Sequence, residues 1–397
     1  MQFEYHCPTK YILGKKVNTI GSHIAECGLS KVLIVYGKQS IFKNGCYNEV
    51  VESLKANSLS YVEVGGVQAN PEIAKVREGI EAYRNNSCDC VLAIGGGSVV
   101  DSCKAICAGI SYKGDAWDLF EQQLPITSAP PLFVVLTLSA TGSEKNCNAV
   151  VSNSAVHKKY HIGAPCLFPV VSIVDPTYQL TLPWYETVNG AVDTIVHLWE
   201  AYAMAKPCGY PATSLRYVEG LMLAAFDSLE ALHKDETNYQ ARADLCWAAT
   251  LALDLSTTCS LEGGDWFVHM LEHATSAVNT RVSHGAGLGV IMPAYWKFLA
   301  TRHPEQLPTL ERLARNVFNV ATVDEMIQEF RNRLTQYGHP TSFTQPISSW
   351  GGHPLFETID NDTIKLIADA YINRKGFYGG LVQPTYEDAI EMLNELI

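Results

Sequence analysis

Five strand-sized, largely apolar runs, several of them separated by helical stretches, limit what this 397-residue chain can fold into more than any other feature. They are KVLIVYG at 31–37, SYVEVGG at 60–66, DCVLAIGGG at 89–97, PLFVVLT at 131–137 and VVSIVD at 170–175. A strand apolar on both faces must be covered on both faces, and helices such as PEIAKVREGIEAYRNN at 71–86 can supply that cover. The pattern predicts a Rossmann-like α/β domain with a parallel sheet over residues 1–180. After DPTYQLTLP the periodicity becomes helical, interrupted by glycine pairs at 263–264, 351–352 and 379–380. Residues 181–397 are therefore expected to form an all-α domain.

Composition narrows the function classes. Hydrophobic residues make up 47% and charged ones 18%, as in a globular enzyme. A net charge of −12 argues against nucleic acid or an anionic membrane as a main partner, while allowing a local basic pocket for a phosphate. The N-terminus MQFEYHCPTKYILGKK lacks a charged segment followed by an apolar run, and no apolar stretch is long enough to span a membrane, so a cytoplasmic location is expected. The twelve cysteines, among them Cys103, Cys107 and Cys246, lie in apolar segments without C-x-x-C pairs and read as reduced, buried thiols. Cys88 and Cys90 share one face of a strand and read the same way.

Three segments of the first half suggest a nucleotide. GGGSVVD follows a buried strand, so the amides of Gly95, Gly96 and Gly97 can approach a pyrophosphate while a helix starting near Ser98 offers its positive end. It is not a G-x-G-x-x-G fingerprint, and such turns also occur without a ligand. TLSATGSE at 137–144 clusters hydroxyls, Thr137 and Thr141 among them, suited to phosphate, ribose or nicotinamide; alone it would be a turn and a helix cap. YGKQS at 36–40 stands where a dinucleotide fold meets the adenosine ribose, and it carries Gly37, Lys38 and Ser40 instead of an acidic residue.

Potential metal ligands occur in the second half at helical intervals. Asp193 and His197 are four apart, His269 and His273 repeat that spacing, and His284 follows in SHGAGL. Residues four apart share a helix face, so these side chains can form an oxygen and nitrogen cage for a divalent ion. Any one of these histidines alone would more often be a packed core residue. Glu272 completes no H-E-x-x-H order, which leaves a metalloprotease base without support.

The series YGKQSIFKNG, GGGSVVDSCK, TLSATGSE, DPTYQLTLP, NGAVDTIVHLWEAY and HMLEHATSAVNTRVSHGAGLGVIMPAYWKF resembles the iron-containing, or group III, alcohol dehydrogenases over nearly the whole chain. Within that family it is similar to the butanol dehydrogenase-like and NADPH-dependent aldehyde reductase branch. The resemblance implies that residues 181–397 bind metal and substrate, with the site in the cleft between the two domains, that the metal ligands are Asp193, His197, His269 and His284, and that His273 lies toward nicotinamide and substrate. It implies cofactor contacts at Gly95, Gly96, Gly97, Ser98, Asp101, Thr137, Thr141, Asn146 and Lys159. The interval from His269 to His284 is one residue longer than in most members, which suggests a small insertion in VNTRVS. Residues 340–382, including HPTSFTQPISSWGGHPLF and RKGFYGG, match least and are expected to shape an entrance or an interface.

Hydride transfer to an aldehyde builds negative charge on its oxygen, and a divalent ion, Fe2+ or Zn2+, held by one carboxylate and three imidazoles can polarise that oxygen. His273 reads either as a proton relay or as support for the metal. The chain is thus expected to be a metal-dependent alcohol dehydrogenase that prefers NADP(H), with NAD(H) possible, acts as an aldehyde reductase on small straight-chain substrates and forms a homodimer. The alternatives are a glycerol dehydrogenase-like polyol oxidoreductase, a dehydroquinate synthase-like lyase and a catalytically silent nucleotide-binding protein. The lyase would want cations to grip an anionic substrate, and residues 193–200 and 262–275 contain no lysine or arginine.

Overall fold

The computed structural model describes residues 2–373 and 379–397, so most of the RKGFYGG stretch lies outside the described residues. Its contacts divide the chain into two compact units. The sheet unit holds His6–Leu182 together with Glu236–Thr250; the helical unit holds Pro183–Asp235 and Leu251–Ile397, with the N-terminal residues to Tyr5.

Eight strands lie in the sheet unit: β1 (Lys10–Leu13), β2 (Lys31–Tyr36), β3 (Ser60–Val64), β4 (Cys90–Gly96), β5 (Leu132–Leu138), β6 (Asn148–Asn153), β7 (Lys158–Gly163) and β8 (Val171–Val174). Six form a parallel sheet in the order β1-β8-β5-β4-β2-β3. The five runs expected from the sequence appear there as β2, β3, β4, β5 and β8. The reason is visible in the burial: Ile34, Leu92 and Phe133 enter one core while Leu33, Val91 and Val134 enter another, so successive residues of each central strand are covered on opposite faces. Edge strand β1 was not anticipated, because its four residues KYIL are too few and too exposed to carry a burial pattern. β6 and β7 form a separate antiparallel hairpin.

A single boundary near residue 180 does not describe the helix Tyr239–Ala252, whose residues up to Thr250 cluster with the sheet unit. The cause is local chemistry. Thr250 donates to Glu144 (2.6 Å) and lies 3.0 Å from the Tyr11 hydroxyl, while Cys246 sits in the sheet-unit core.

In the helical unit, Trp184–Ala203 is buried on nearly every side, as a helix apolar all round should be. It packs against Ala212–Lys234, Phe267–Val278 and His284–Arg302. Asp193, His197 and Glu200 are polar exceptions on its buried surface. Among the described residues no helix is long and apolar enough to cross a membrane.

Candidate metal centre and nucleotide cradle

The helical unit brings four of the expected ligands together. Asp193 and His197 occupy one face of Trp184–Ala203, His269 lies in the first turn of Phe267–Val278, and His284 opens His284–Arg302. Around Asp193 Oδ1 stand His197 Nδ1 at 3.4 Å, His269 Nε2 at 3.4 Å and His284 Nε2 at 3.7 Å. A turn after Val278 leads to His284, whose Nε2 joins the group.

Asp193 Oδ1, His197 Nδ1 and His269 Nε2 are buried and have no hydrogen-bond partner among the described residues. Leaving such atoms unsatisfied is costly, which makes their convergence informative. One carboxylate oxygen and three imidazole nitrogens are donors that suit Fe2+ or Zn2+, so these residues fit a divalent cation.

The electrostatics point the same way. His197 and His269 are stacked with ring centroids 4.3 Å apart. Burial pushes the His197 imidazole down to about 3, an effect that Asp193 offsets in part and the charges of His269 and His284 reinforce. Burial also opposes charging His269, but Glu200 and Asp193 outweigh it and raise that ring to about 10. Asp193 is held well below the usual carboxylate range, because its histidine neighbours outweigh the effect of burial. Asp193 and Glu200 thus set carboxylate charge against His269, and a divalent cation bound there would compete with a proton on that ring.

Two carboxylates that the sequence reading did not single out for the site complete it. Glu200 Oε2 pairs with His269 Nδ1, and its Oε1 accepts from the backbone amides of Val268 (2.7 Å) and His269 (3.3 Å). It thereby caps the start of a helix whose own N-cap residue, Trp266, supplies no side-chain cap. Glu272 pairs with Nδ1 of His284. Each carboxylate fixes an imidazole through one nitrogen and turns the other toward Asp193. A signal for Glu200 existed: Asp193, His197 and Glu200 follow i, i+4, i+7 spacing on one helix face.

His273 is buried next to the cluster, with ring centroids 6.2 Å from His269 and 5.3 Å from His284. Its ring, Glu272 and His284 form a second group of potential donors. His284 already pairs with Glu272 through Nδ1 and faces Asp193 through Nε2, so this group reads as an extension of the first centre.

The sheet unit places the nucleotide candidates at the ends of β2, β4 and β5. The register of β4 and β5 shifts between Gly95 and Gly96, and the helix Gly97–Ile110 begins immediately afterwards. Ser98 thus lies in that helix's first turn. A Cβ on Gly97 would stand 2.4 Å from Thr141 Oγ1, so glycine is what lets the Thr137–Glu144 segment approach the helix start. Thr137 is buried and Thr141 half-buried.

Asp101 and Asn146 are engaged inside the protein. Asp101 accepts from Ser143 Oγ (2.5 Å) and Val150 N (3.0 Å), and Asn146 donates to Gly142 O (3.0 Å). The buried Lys104 ammonium donates to Ser143 O, Ser143 Oγ, Asn146 Oδ1 and Asn148 O at 2.6–3.0 Å. Lys104 was not anticipated; its four acceptors come from residues 39 to 44 positions away. Burial lowers its pKa to about 8, although Asp101 opposes the shift. Lys159, in β7, donates to Asn70 (2.9 Å). Gly37 is half-buried after β2, where its carbonyl accepts from Gly66 N (2.7 Å), and Lys38 and Ser40 are exposed.

Comparison with known proteins covers both units. Residues 8–176 match the family model for iron-containing alcohol dehydrogenase, and residues 187–397 match the C-terminal model of the Fe-containing alcohol dehydrogenase family. The chain is 32% identical to NADH-dependent butanol dehydrogenase A of Clostridium acetobutylicum over 100% of this chain and 99% of that protein. It is also 32% identical to the NADPH-dependent aldehyde reductase YqhD of Escherichia coli over 85% of this chain and 87% of that one. The crystal structure of NADH-dependent butanol dehydrogenase A from Thermotoga maritima superposes with a TM-score of 0.91 at 38% identity, covering 100% of this chain and 98% of that one.

Proposed function

Since the chain belongs to the iron-containing alcohol dehydrogenase family and is an NAD(P)-dependent oxidoreductase of the alcohol dehydrogenase and aldehyde reductase type, we propose that it reduces small straight-chain aldehydes to primary alcohols with NADPH at a metal-dependent centre. The observation that carries the metal is the convergence of Asp193, His197, His269 and His284, three of which bury ring or carboxylate atoms without a hydrogen bond among the described residues. When bound, Fe2+ or Zn2+ supplies a Lewis acid for the carbonyl oxygen.

The remaining work falls to the chain's own residues. Gly95–Ser98 and the start of Gly97–Ile110 hold the pyrophosphate through backbone amides, with Thr137 and Thr141 beside them. A bound nicotinamide would supply the hydride for the carbonyl carbon, and the substrate oxygen would then need a proton. His273, packed against His269 and His284, is placed to donate it. Glu200 and Glu272 hold the ligand rings in their tautomers.

The preference for NADPH rests on Gly37, which puts no carboxylate against a 2′-phosphate, and on Lys38 and Ser40 exposed next to it. The relatives named above include NADH- and NADPH-dependent enzymes, so family membership alone leaves this choice open. A homodimer in the cytoplasm is the setting this reading carries. The test is metal analysis of the purified protein, followed by oxidation of NADPH and NADH with butanal before and after chelation and re-addition of Fe2+ or Zn2+. Activity that is lost on chelation and restored by metal, with higher kcat/KM for NADPH, supports the reading. Full turnover by metal-free protein overturns the metal role.

A further inference from the structure

Trp266 is the bulky residue that precedes the His269 helix, and its backbone lies in the left-handed region at φ 61. L-residues with large side chains rarely adopt that region, and strain of this kind persists only where surrounding structure enforces it. Here it is enforced from both sides. The Asp265 amide donates to Glu200 O (2.9 Å), and its carboxylate accepts from the Tyr295 hydroxyl (2.6 Å) and Leu381 N (2.8 Å). On the other side, Trp266 O accepts from Met270 N (2.9 Å), while Glu200 holds the amides of Val268 and His269.

The strained backbone aims the indole at the metal ligands. Its ring lies edge-on to His197 (centroids 6.2 Å apart, 69°) and to His269 (5.8 Å, 74°). Gly264 leaves room for it, since a Cβ there would stand 2.7 Å from the indole. Trp199 and Trp296 of the same unit offer a contrast: they pack perpendicular to each other, 5.6 Å apart, both fully buried and neither at positive φ. Trp266 by contrast is only half-buried. An indole held by strain against two ligands, with surface left over, suits contact with a bound molecule better than core packing.

We infer that Trp266 is a specificity-determining residue, a rigid apolar wall beside the metal ligands that selects aldehydes and primary alcohols unbranched next to the reacting carbon. This rests on the proposed aldehyde reduction at the same centre. A planar wall accommodates a slender methylene chain along its surface, while a quaternary carbon adjoining the carbonyl collides with it. Methyl-sized differences of this kind change selectivity by roughly tenfold or more.

The test compares wild type, Trp266→Leu and Trp266→Phe as metal-loaded protein. One readout is kcat/KM for butanal against 2,2-dimethylpropanal. A second needs no turnover: dissociation constants of the unreactive analogues butyramide and pivalamide in the presence of oxidised nucleotide. Trp266→Leu is expected to shift both ratios toward the branched compound by about tenfold or more, with metal content and nucleotide affinity unchanged, while Trp266→Phe stays close to wild type. Unchanged ratios in Trp266→Leu, or equal weakening of both compounds together with loss of metal, overturn the inference in favour of packing. If wild type reduces neither aldehyde yet keeps an amide preference that Trp266→Leu removes, the proposed reaction fails and the wall stands.

Discussion

Gly287 and Glu272 are matched across two helices: a Cβ at Gly287 would stand 2.9 Å from Glu272 Cγ and 3.3 Å from its Oε1. Glu272 is the carboxylate that pairs with Nδ1 of His284, so the missing side chain at 287 makes room for the group that orients this proposed metal ligand. Gly287→Ala should displace Glu272 from His284 and weaken metal affinity by about 10- to 100-fold, as loss of such support commonly does. Titration of the chelated protein with Zn2+ measures this directly. Wild-type affinity in the variant would show that Glu272 can yield without consequence.

Cofactor choice should turn on Gly37. A Cβ there would meet Val67 O at 3.5 Å and Val99 Cγ2 at 3.8 Å, ordinary contact distances, so an aspartate can be introduced without a clash at its first atom. Gly37→Asp should reverse or erase a preference for NADPH by setting a carboxylate against the 2′-phosphate. Initial-rate kinetics with both nucleotides decide the matter, and a wild-type enzyme more efficient with NADH would refute the reading of Lys38 and Ser40.

His273→Ala should retain metal and nucleotide while turnover falls by about 10²-fold or more, the usual worth of a positioned acid–base group. Metal content measured alongside kcat separates the roles. Loss of metal would make His273 a ligand or its direct support, and unchanged kcat across pH would leave it a packing residue.

Alkaline stability should be limited by buried thiols of the sheet unit. Burial pushes Cys246 up to about 12 from an ordinary value of 9.0, and Cys46, Cys90, Cys103 and Cys107 also rise for the same leading reason. Above pH 9 the unfolded chain releases these protons and the folded chain keeps them. The folded state then binds more protons, so stability falls as pH rises from about 9 toward 12, by roughly 1.4 kcal/mol per pH unit for each such thiol. Urea unfolding under reducing conditions between pH 8 and pH 11 tests the slope. Cys246→Ala should make it shallower by one thiol's share.

Much of the fold is legible in the sequence because burial on two faces leaves a one-dimensional trace. Ile34, Leu92 and Phe133 lie in apolar runs separated by helical stretches, the pattern of covered parallel strands, and the intervals Asp193 to His197 and His269 to His273 place potential ligands on helix faces. Edge strand β1 leaves no such trace, since Lys10–Leu13 is half solvent-facing and gains its identity only by pairing with β8. The same limit applies to the helix Tyr239–Ala252, which joins the sheet unit through Thr250 and Cys246 rather than through any pattern of its own.

What local sequence determined, then, was the sheet, the helical half and the residue types able to hold a nucleotide and a metal. What tertiary structure decided was which charges meet. Glu200 is 69 residues from His269, and Lys104 is about 40 residues from the turn it holds. A buried carboxylate or ammonium is tolerated only where distant groups supply its hydrogen bonds, and that pairing exists only once the chain has folded.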